Sequence, residues 1–394
     1  MKKTIALIAL CAALGAQAFD IDSEALRIAS QQPALQARKA LADAEMEEYS
    51  ASNVLEGPEA EFEYKFAPAG ADNRWGVSIG QSFDFPGVYS ARSKANRLRR
   101  GAFRELYRSD LMDMALEVKI AIIRLAQASE TCKVVVEAFR TVDKLYGTYR
   151  EALERGETTI LEVRKIELRR FEMARQADEA RSELTEAQIA MAVLCGGAGN
   201  AAAVTPDAIP VQELKPFEFY SSAMTEANPR LAYESGIADA ENASVSVAKR
   251  SGLPSFRLAY VHDFEENTHF NGFGISISLP SWNNGRNVRA ARARALAAEQ
   301  TLADSRLRAQ ADLNAGYEAA TRLYQNLALG RDVFDASEYP AYLSLALESG
   351  RINIFTYLTE YADYLDSRLE YIGLKGDYAR AEANLSKYSA TIEQ

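Results

Sequence analysis

The chain has 394 residues, a formal net charge of −10, 48% hydrophobic residues and only two histidines. This length is sufficient for a large hydrophobic core or for several domains. The acidic balance argues against a nucleic-acid-binding surface, because such surfaces are rich in Lys and Arg. We therefore expect no nucleic-acid partner.

Residues 1–18 have the features of a secretory signal peptide. Two lysines precede a short apolar run at 5–14, and Ala-Gln-Ala at 16–18 is a small-x-small cleavage site. A lipidated Cys11 is the less favoured alternative, because a bulky leucine precedes it. No later segment has the roughly 18 consecutive apolar residues of a transmembrane helix. We expect an exported chain.

After a first helical segment, residues at about 58–68 and 73–85 alternate between apolar and polar side chains, which predicts two strands. Strands of about ten residues with one apolar face are typical of transmembrane barrels. The alternative is a pair of amphipathic hairpins that cover a soluble core. The residues predicted to face lipid are Phe62, Tyr64, Phe66, Trp75, Val77, Ile79 and Phe83.

A long helical region follows the strands. No proline occurs between Pro86 and Pro206, and apolar residues recur in this interval at helical spacing. We predict two long helices, the first over about 90–154, separated by a break near 155–159. A helix on the order of 100 Å long favours a coiled-coil or tube architecture.

The second half of the chain repeats the first. Residues 19–195 form the first repeat and 217–394 the second, joined by a Gly-, Ala- and Pro-containing linker at 196–216. Gly76-Val77-Ser78-Ile79 corresponds to Gly274-Ile275-Ser276-Ile277. Each repeat is predicted to contain a helix, two strands, a long helix, a break and a returning helix.

The second repeat has its predicted strands at about 254–264 and 271–280 and its break near residue 350. Four strands cannot close a barrel, and open sheet edges are not tolerated in hydrocarbon. Two copies of the chain would give eight strands, and three copies twelve strands with room for a passage. The residues predicted to face lipid here are Phe256, Leu258, Tyr260, Phe273, Ile275, Ile277 and Leu279.

The order of these features resembles the TolC-like outer-membrane efflux protein family. The resemblance is carried by VSIGQSFDFPGVYSARSKAN and GISISLPSWNNGRNVRAARARA after the strands, and by ERGETTILEV and ESGRINIFTYL at the breaks. It implies a mainly α fold with a small β part, in which a duplicated long-helix coiled-coil tunnel carries four transmembrane strands per chain. It also implies a homotrimer with a 12-stranded barrel in the outer membrane of a Gram-negative bacterium and a large periplasmic portion.

The resemblance implies a passive exit duct for small molecules or metal cations. Its implied partners are a periplasmic adaptor (membrane fusion) protein, an inner-membrane pump of the resistance–nodulation–division type and outer-membrane lipid. One alternative is a soluble periplasmic coiled-coil adaptor or scaffold, and another is the same type of channel serving type I protein secretion. No Ser-His-Asp set, P-loop or zinc tetrad is present, so neither an enzyme nor a cofactor is expected.

The two helix breaks correspond to the periplasmic tips of the family, where the adaptor docks and the tunnel closes. Glu162 lies near the acidic position of the family's closing network, and Arg351 near its arginine position. Thr356 and Thr359 stand where channel members often carry an acidic ring. Plain interhelical turns are the alternative. The tip residues are Arg155, Gly156, Glu157, Thr158, Thr159, Glu162, Ser349, Gly350, Arg351, Ile352 and Asn353.

The long helix of each repeat starts with basic residues, although positive charge opposes the dipole at a helix N-terminus. Contact with lipid headgroups, lining of the lumen and a solvated face are the possible explanations. This predicted basic ring below the barrel consists of Arg92, Lys94, Arg97, Arg286, Arg289 and Arg292.

The two histidines, two of the cysteines and Pro340 concern possible ligand binding or local structure. His262 and His269 flank acidic residues and could bind a divalent cation, but a polar surface loop is favoured. Cys132 and Cys195 fall on different helices and are expected to be buried free thiols. Pro340 is expected to kink the long helix of the second repeat, so the two repeats cannot be exact structural equivalents.

Overall fold

The protein is mainly helical and contains one four-stranded antiparallel sheet, which confirms the predicted fold class. A computed structural model describes residues 20–68, 73–197, 208–279, 284–334 and 338–389. The predicted signal peptide and Cys11 lie outside the described residues, as does 198–207 of the predicted linker. Within the described parts, no helix is both long enough and apolar enough to cross a membrane.

The order helix, helix, strand, strand, helix, helix occurs in both halves of the chain, with one additional helix in the second half. The first set is α1 (Ile21–Ser30), α2 (Pro33–Ala51), β1 (Glu59–Lys65), β2 (Arg74–Phe83), α3 (Pro86–Glu154) and α4 (Ile160–Leu194). The second set is α5 (Phe217–Ala227), α6 (Pro229–Arg250), β3 (Ser255–Glu265), β4 (Thr268–Ser278), α7 (Asn284–Phe334), α8 (Tyr339–Glu348) and α9 (Ile354–Leu385), followed by a 3₁₀ turn at Ser386–Tyr388.

The sheet has the strand order β1-β2-β3-β4, and every neighbouring pair is antiparallel. Phe62 pairs with Val77, and Val77 pairs with His262 on β3. The β3–β4 hairpin is closed by Glu266 and Asn267 alone, both with positive φ (48° and 60°), as a two-residue hairpin turn requires. β4 therefore begins at Thr268, three residues before the predicted start.

Contacts between Cα atoms divide the chain into two compact units. The helical unit comprises the described parts of 20–35, 110–227 and 310–389, and the sheet unit comprises those of 36–109 and 228–309. Each unit contains segments of both sequence repeats. The sequence repeat is therefore not the unit of packing.

The helical unit has a core of large aliphatic and aromatic side chains. Val118 and Ile122 of α3 and Ile372 of α9 are 0% exposed and pack with Ile21 and Ile28 of α1. A second cluster joins α3, α4, α8 and α9 around Ile166, Tyr357, Leu358 and Tyr361, among others. Helical spacing of these residues on each element explains why a single stripe of each helix is buried.

The helices of the sheet unit pack through small residues instead. Ala91, Ala95 and Ala102 of α3 are buried, as is Ala240 of α6. A Cβ atom on Gly236 of α6 would lie only 2.9 Å from the Cβ of Ala102. Alanine and glycine at these positions let the backbones of α3 and α6 approach closely.

Pro340 is associated with a break between helices rather than with the predicted kink. α7 ends at Phe334, and α8 begins at Tyr339 with proline in its first turn. A proline is tolerated there because the first N–H groups of a helix have no intrahelical acceptor. The Phe334 ring, at the last residue of α7, stacks on Tyr371 of α9 with centroids 5.0 Å apart.

Neither Cys132 nor Cys195 forms a disulfide within the part of the chain that the structure describes. Cys132 is buried as expected, but Cys195 is only partly buried because it forms the C-cap of α4. Burial is nevertheless the main cause that raises the pKa of the Cys195 thiol.

Candidate functional sites in the sheet and at the helix turns

One face of the sheet exposes most of the large apolar side chains of the strands, with Gln81, His262, His269 and Asn271 also on it. The pairing register aligns Phe62 with Val77, Leu258 with Ile275 and Tyr260 with Phe273, so these side chains share one side. We call this side the apolar sheet face. All of the residues predicted to face lipid lie on it within strands, except Phe66 and Leu279, which stand just beyond strand ends. Phe273 is 80% exposed and Ile275 75%.

The two outer strands of this sheet have open edges. β1 pairs only with β2 and β4 only with β3 among the described strands. An unpaired strand edge presents a row of free backbone N–H and C=O groups and is a template for pairing with another strand. The sheet is therefore complete on neither side within one chain.

The opposite face of the sheet is polar, and an ion pair between β3 and β1 crosses it. Arg257 on β3 extends above Gly80 of β2, where a Cβ atom would lie 2.6 Å from its Nε. Its guanidinium reaches two carboxylates of β1, with Nη1 3.4 Å from Glu59 Oε2 and Nη2 4.0 Å from Glu61 Oε2. In the same way, Asp263 lies over Gly76, its partner in the strand register.

A groove of about 470 Å³ runs along this polar face. Its charged lining comprises Glu61, Glu63, Lys65, Arg74, Asp263 and Glu265. Arg74 is paired with Glu265, and Lys65 with Glu63 at 2.9 Å. Sequence reasoning missed this arrangement, because it depends on pairing between β2 of one repeat and β3 of the other. The only sequence signal is the presence of Gly76 and Gly80 on the same face of β2.

The two histidines lie in strands beside the β3–β4 turn rather than in a loop. His262 Nδ1 is 2.8 Å from Asn271 Oδ1, and His262 Nε2 is 3.3 Å from His269 Nδ1. Tyr260 also donates to Asn271 Oδ1, at 2.7 Å. The described residues contain no group of three or more His, Cys, Asp or Glu placed to hold a metal ion.

The first tip is a sharp turn closed by backbone hydrogen bonds. The N–H of Gly156 donates to Leu153 O (3.0 Å) and the N–H of Glu157 donates to Ala152 O (2.9 Å), which is the Schellman arrangement. Gly156 has φ +74°, a conformation that favours glycine. Arg155 Nε lies 2.9 Å from Glu157 Oε2.

Glu162 serves the start of α4. Its Oε2 accepts hydrogen bonds from Thr158 Oγ1 (2.6 Å), Thr159 N (2.8 Å) and Thr159 Oγ1 (2.9 Å). Together with the bond from Glu162 N to Thr159 Oγ1, this forms a capping box. The hydrogen bond from Thr158, followed by those from Thr159, lowers the pKa of the Glu162 carboxyl.

The second tip repeats the turn but starts its helix differently. Gly350 has φ +65°, and the N–H groups of Gly350 and Arg351 donate to Leu347 O and Ala346 O. Asn353 Oδ1 then accepts from the backbone N–H of Thr356 at 2.9 Å and from its hydroxyl at 3.1 Å. Ser349 caps α8, and Ile352 packs at the edge of the core formed by α3, α4, α8 and α9.

The tips differ in the apolar surface that they present. Ile160 and Leu161, which follow the first tip, are 53% and 71% exposed. At the second tip the equivalent Ile354 is 1% exposed, and only Phe355 projects. The structure also shows a contact that the sequence did not predict: Tyr339 Oη on α8 donates to Glu360 Oε2 on α9 at 2.9 Å.

The basic residues at the helix starts have different partners in the two repeats. On α3, Arg92 lies 2.8 Å from Asp84, and Arg99 lies 2.7 Å from Glu241 and over the Tyr49 ring. On α7 the only ion pairs among the described residues are those of Arg308 and Arg322, further along the helix. Lys94, Arg97, Arg286, Arg289 and Arg292 are all exposed.

No protein-family model matches the chain, and no curated protein matches it. Solved structures do. The CmeC outer membrane channel of Campylobacter jejuni is 16% identical with a TM-score of 0.76, over 94% of this chain and 85% of that chain. A membrane protein from Pseudomonas aeruginosa is 16% identical with a TM-score of 0.78, over 94% and 92%. The MtrE outer membrane channel of Neisseria gonorrhoeae, in its open state, is 17% identical with a TM-score of 0.73, over 93% and 88%. The chain has the fold of these solved structures.

Proposed function

We propose that this chain is one subunit of a passive outer-membrane exit duct. Three copies pair β4 of one chain with β1 of the next and close a 12-stranded barrel, while the long helices form a periplasmic tunnel. The duct carries small molecules or metal cations outward and performs no chemistry itself. CmeC and MtrE, which share the fold, are outer membrane channels.

The exposed apolar sheet face carries this proposal. A single chain leaves large side chains such as Phe62, Phe273 and Ile275 in contact with its surroundings, and an apolar patch of this kind marks a membrane or protein contact. The same sheet has two open edges, which hydrocarbon does not tolerate. Edge-to-edge association of copies satisfies both features at once, because it pairs every strand and turns all apolar faces towards lipid.

The polar face then lines the barrel interior. It carries glycine and serine on β2 and β4 and the ion pairs of Arg257 and Arg74. Small residues leave space beside the charged groove, which suits a water-filled passage.

The tips are assigned to docking and closure. The exposed Ile160 and Leu161 beside the first tip offer an apolar contact to a periplasmic adaptor protein, which in turn connects the duct to an inner-membrane pump of the resistance–nodulation–division type. Glu162 is occupied by the capping box, so its contribution is to hold the shape of the first tip. Arg351 is the charged side chain of the second tip that remains for a contact between subunits.

The deciding experiment is the native mass of the mature chain extracted from outer membranes in mild detergent, combined with conductance in planar bilayers. A trimer that needs detergent and forms conducting pores supports the proposal. A monomer or dimer that is soluble without detergent overturns it and favours the periplasmic scaffold instead.

A further inference from the structure

We propose that the start of α7 binds the phosphate headgroups of anionic phospholipid in the periplasmic leaflet of the outer membrane. The ligand residues are Arg286, Arg289, Arg292 and Arg294, here named the α7 arginines. This inference rests on the proposed function, since it takes the apolar sheet face to lie in the bilayer, and it adds a defined lipid site to it.

The first observation is that the α7 arginines are exposed and carry uncompensated charge. All four are exposed, and none forms an ion pair with a carboxylate of the described residues. Four positive charges stand within nine residues at the end of the helix where the backbone dipole is also positive. Each charge raises the energy of the others, so a bound anion would stabilise this helix start.

The second observation is the contrast with the equivalent segment of the first repeat. Arg92 and Arg99 on α3 are engaged by Asp84 and Glu241 inside the chain. These ion pairs connect α3 to Asp84, just after β2, and to Glu241 of α6. Lys94 and Arg97 of α3 are exposed without an ion pair to the described residues, so the first cluster is compensated in part, whereas none of the α7 arginines is.

The third observation is continuity with the apolar sheet face. Phe256, Ile277 and Leu279 occupy the helix-side end of that face and are exposed. Asn284, the first residue of α7, lies against Gly252, where a Cβ atom would be 2.4 Å from the Asn284 side-chain Cγ. Only Leu253 and Pro254 separate Gly252 from β3, so the start of α7 is packed beside the end of the sheet.

The position of the α7 arginines beside the apolar sheet face favours one kind of ligand, an anionic phospholipid. Exposed aliphatic side chains at the end of the sheet, together with exposed guanidinium groups at the start of α7, match the boundary between acyl chains and headgroups. Arginine binds phosphate oxygens through paired N–H donors, and basic clusters beside membrane segments recognise anionic lipid. Phosphatidylglycerol presents that chemistry in the periplasmic leaflet.

The test compares two quadruple variants of the full chain with the same change in charge. One replaces the α7 arginines (Arg286→Gln, Arg289→Gln, Arg292→Gln, Arg294→Gln). The control replaces four exposed arginines further along the same helix (Arg306→Gln, Arg308→Gln, Arg322→Gln, Arg331→Gln). Removing positive charge from the start of α7 relieves its conflict with the helix dipole, so folding is not expected to suffer.

The readouts are the phosphatidylglycerol that co-purifies with each detergent-extracted protein and flotation with vesicles of phosphatidylcholine with or without phosphatidylglycerol. We expect the α7 variant to lose most of its bound phosphatidylglycerol and its preference for the anionic vesicles, while the control keeps both. Unchanged phosphatidylglycerol in the α7 variant overturns the inference. If the ion selectivity of that variant is altered as well, the arginines line the lumen.

Failure of the proposed function is a separate result. If the wild-type protein neither inserts into bilayers nor conducts, the duct itself is wrong. If the wild type inserts and conducts but both variants retain the same lipid, only the lipid site is wrong.

Discussion

Arg257 and Glu59 form an ion pair across an intervening strand, because Gly80 leaves the space above β2 empty. The guanidinium on β3 thereby connects three of the four strands on the polar face. An exposed ion pair of this type contributes about 0–1 kcal/mol by itself. The close approach of the Arg257 side chain to Gly80 therefore provides a stronger test of this arrangement than the ion pair does.

We expect Gly80→Ala to lower the free energy of unfolding by about 1–3 kcal/mol, since the new Cβ would meet Arg257 Nε at 2.6 Å and Ala259 Cβ at 3.1 Å. Thermal unfolding of the detergent-solubilised protein measures this change. Gly272→Ala on the same face of β4 is the matched control, because nothing lies within 4 Å of its Cβ position. Equal effects of the two substitutions would contradict the explanation.

Phe273 and Phe270 provide a second test, since they occupy opposite faces of β4. Phe273 lies on the apolar sheet face, and Phe270 lines the groove opposite Asp263. We expect Phe273→Arg to prevent assembly in the outer membrane, because arginine facing lipid costs about 2–4 kcal/mol at the bilayer midplane. Phe270→Arg should assemble normally. Heat-resistant oligomer in outer-membrane fractions is the measurement, and assembly of both variants would mean that the apolar sheet face does not meet lipid.

Lys119 neutralises two carboxylates in the helical unit. Its Nζ lies 2.8 Å from Asp22 Oδ1 and 3.8 Å from Glu382 Oε2, and it also donates to Ser386 Oγ at 3.2 Å. Lys119 and Glu382 are only 6% and 5% exposed. We expect Lys119→Met to cost about 3–5 kcal/mol of stability near neutral pH, because it leaves the Glu382 charge buried without a partner.

This cost should depend on pH. Burial is the main cause that raises the pKa of Glu382, so its protonated form is favoured in the folded state. The favourable contribution of protonated Glu382 is present at low pH and is lost as pH rises through the folded-state pKa. Lys119→Met should therefore be mild in acid and severe above that pKa. Denaturant unfolding across pH measures it, and addition of Glu382→Gln should restore most of the stability. A cost that is independent of pH would refute the pairing.

The first tip gives a local prediction. Thr159→Ala removes the hydroxyl of the capping box and should cost about 1 kcal/mol at the start of α4. Faster hydrogen exchange at the backbone amides of residues 160–163 would show it. Asn353→Ala at the second tip is the matched variant, and there exchange should rise at Thr356 and its neighbours.

Glu162→Gln separates capping from closure. Hydrogen bonds hold the pKa of Glu162 below its usual value, so the stabilisation is present at neutral pH and is lost as pH falls through the lowered pKa. We expect Glu162→Gln to weaken the helix start at neutral pH and to leave the conductance of the pore unchanged. A large rise in conductance would instead assign Glu162 to closure between subunits.

The sequence predicted the sheet well, because alternation in Phe62–Tyr64 and in Gly274–Ile277 is a period-2 pattern that only a strand satisfies. It placed the start of β4 too late, since His269 and Asn271 interrupt the apolar alternation, although they still occupy the same face. The crossing of Arg257 over Gly80 depends on contacts between the two repeats. A pattern read along one segment does not contain that information.

At the helix breaks, too, the local features were predictable from the sequence and the contacts between helices were not. Glycine and a capping residue marked both tips, because a left-handed turn has a local sequence signature. The role of Glu162 followed from the family resemblance, whereas the structure gives it three hydrogen bonds within its own turn. The sequence predicts a kink at Pro340, whereas the structure ends α7 at Phe334 and starts α8 at Tyr339. The stacking of Phe334 on Tyr371 is a contact between helices, which a local sequence pattern does not contain.

The helical unit is built from segments far apart in sequence, and this has a consequence for the order of folding. Asp22 of α1, Lys119 of α3 and Glu382 of α9 lie far apart in sequence, so the three charges meet only after α9 has been made. Contacts so distant in sequence form slowly, because a large loop must close first. We expect α1 and α3 to remain without their partner until α9 packs against them.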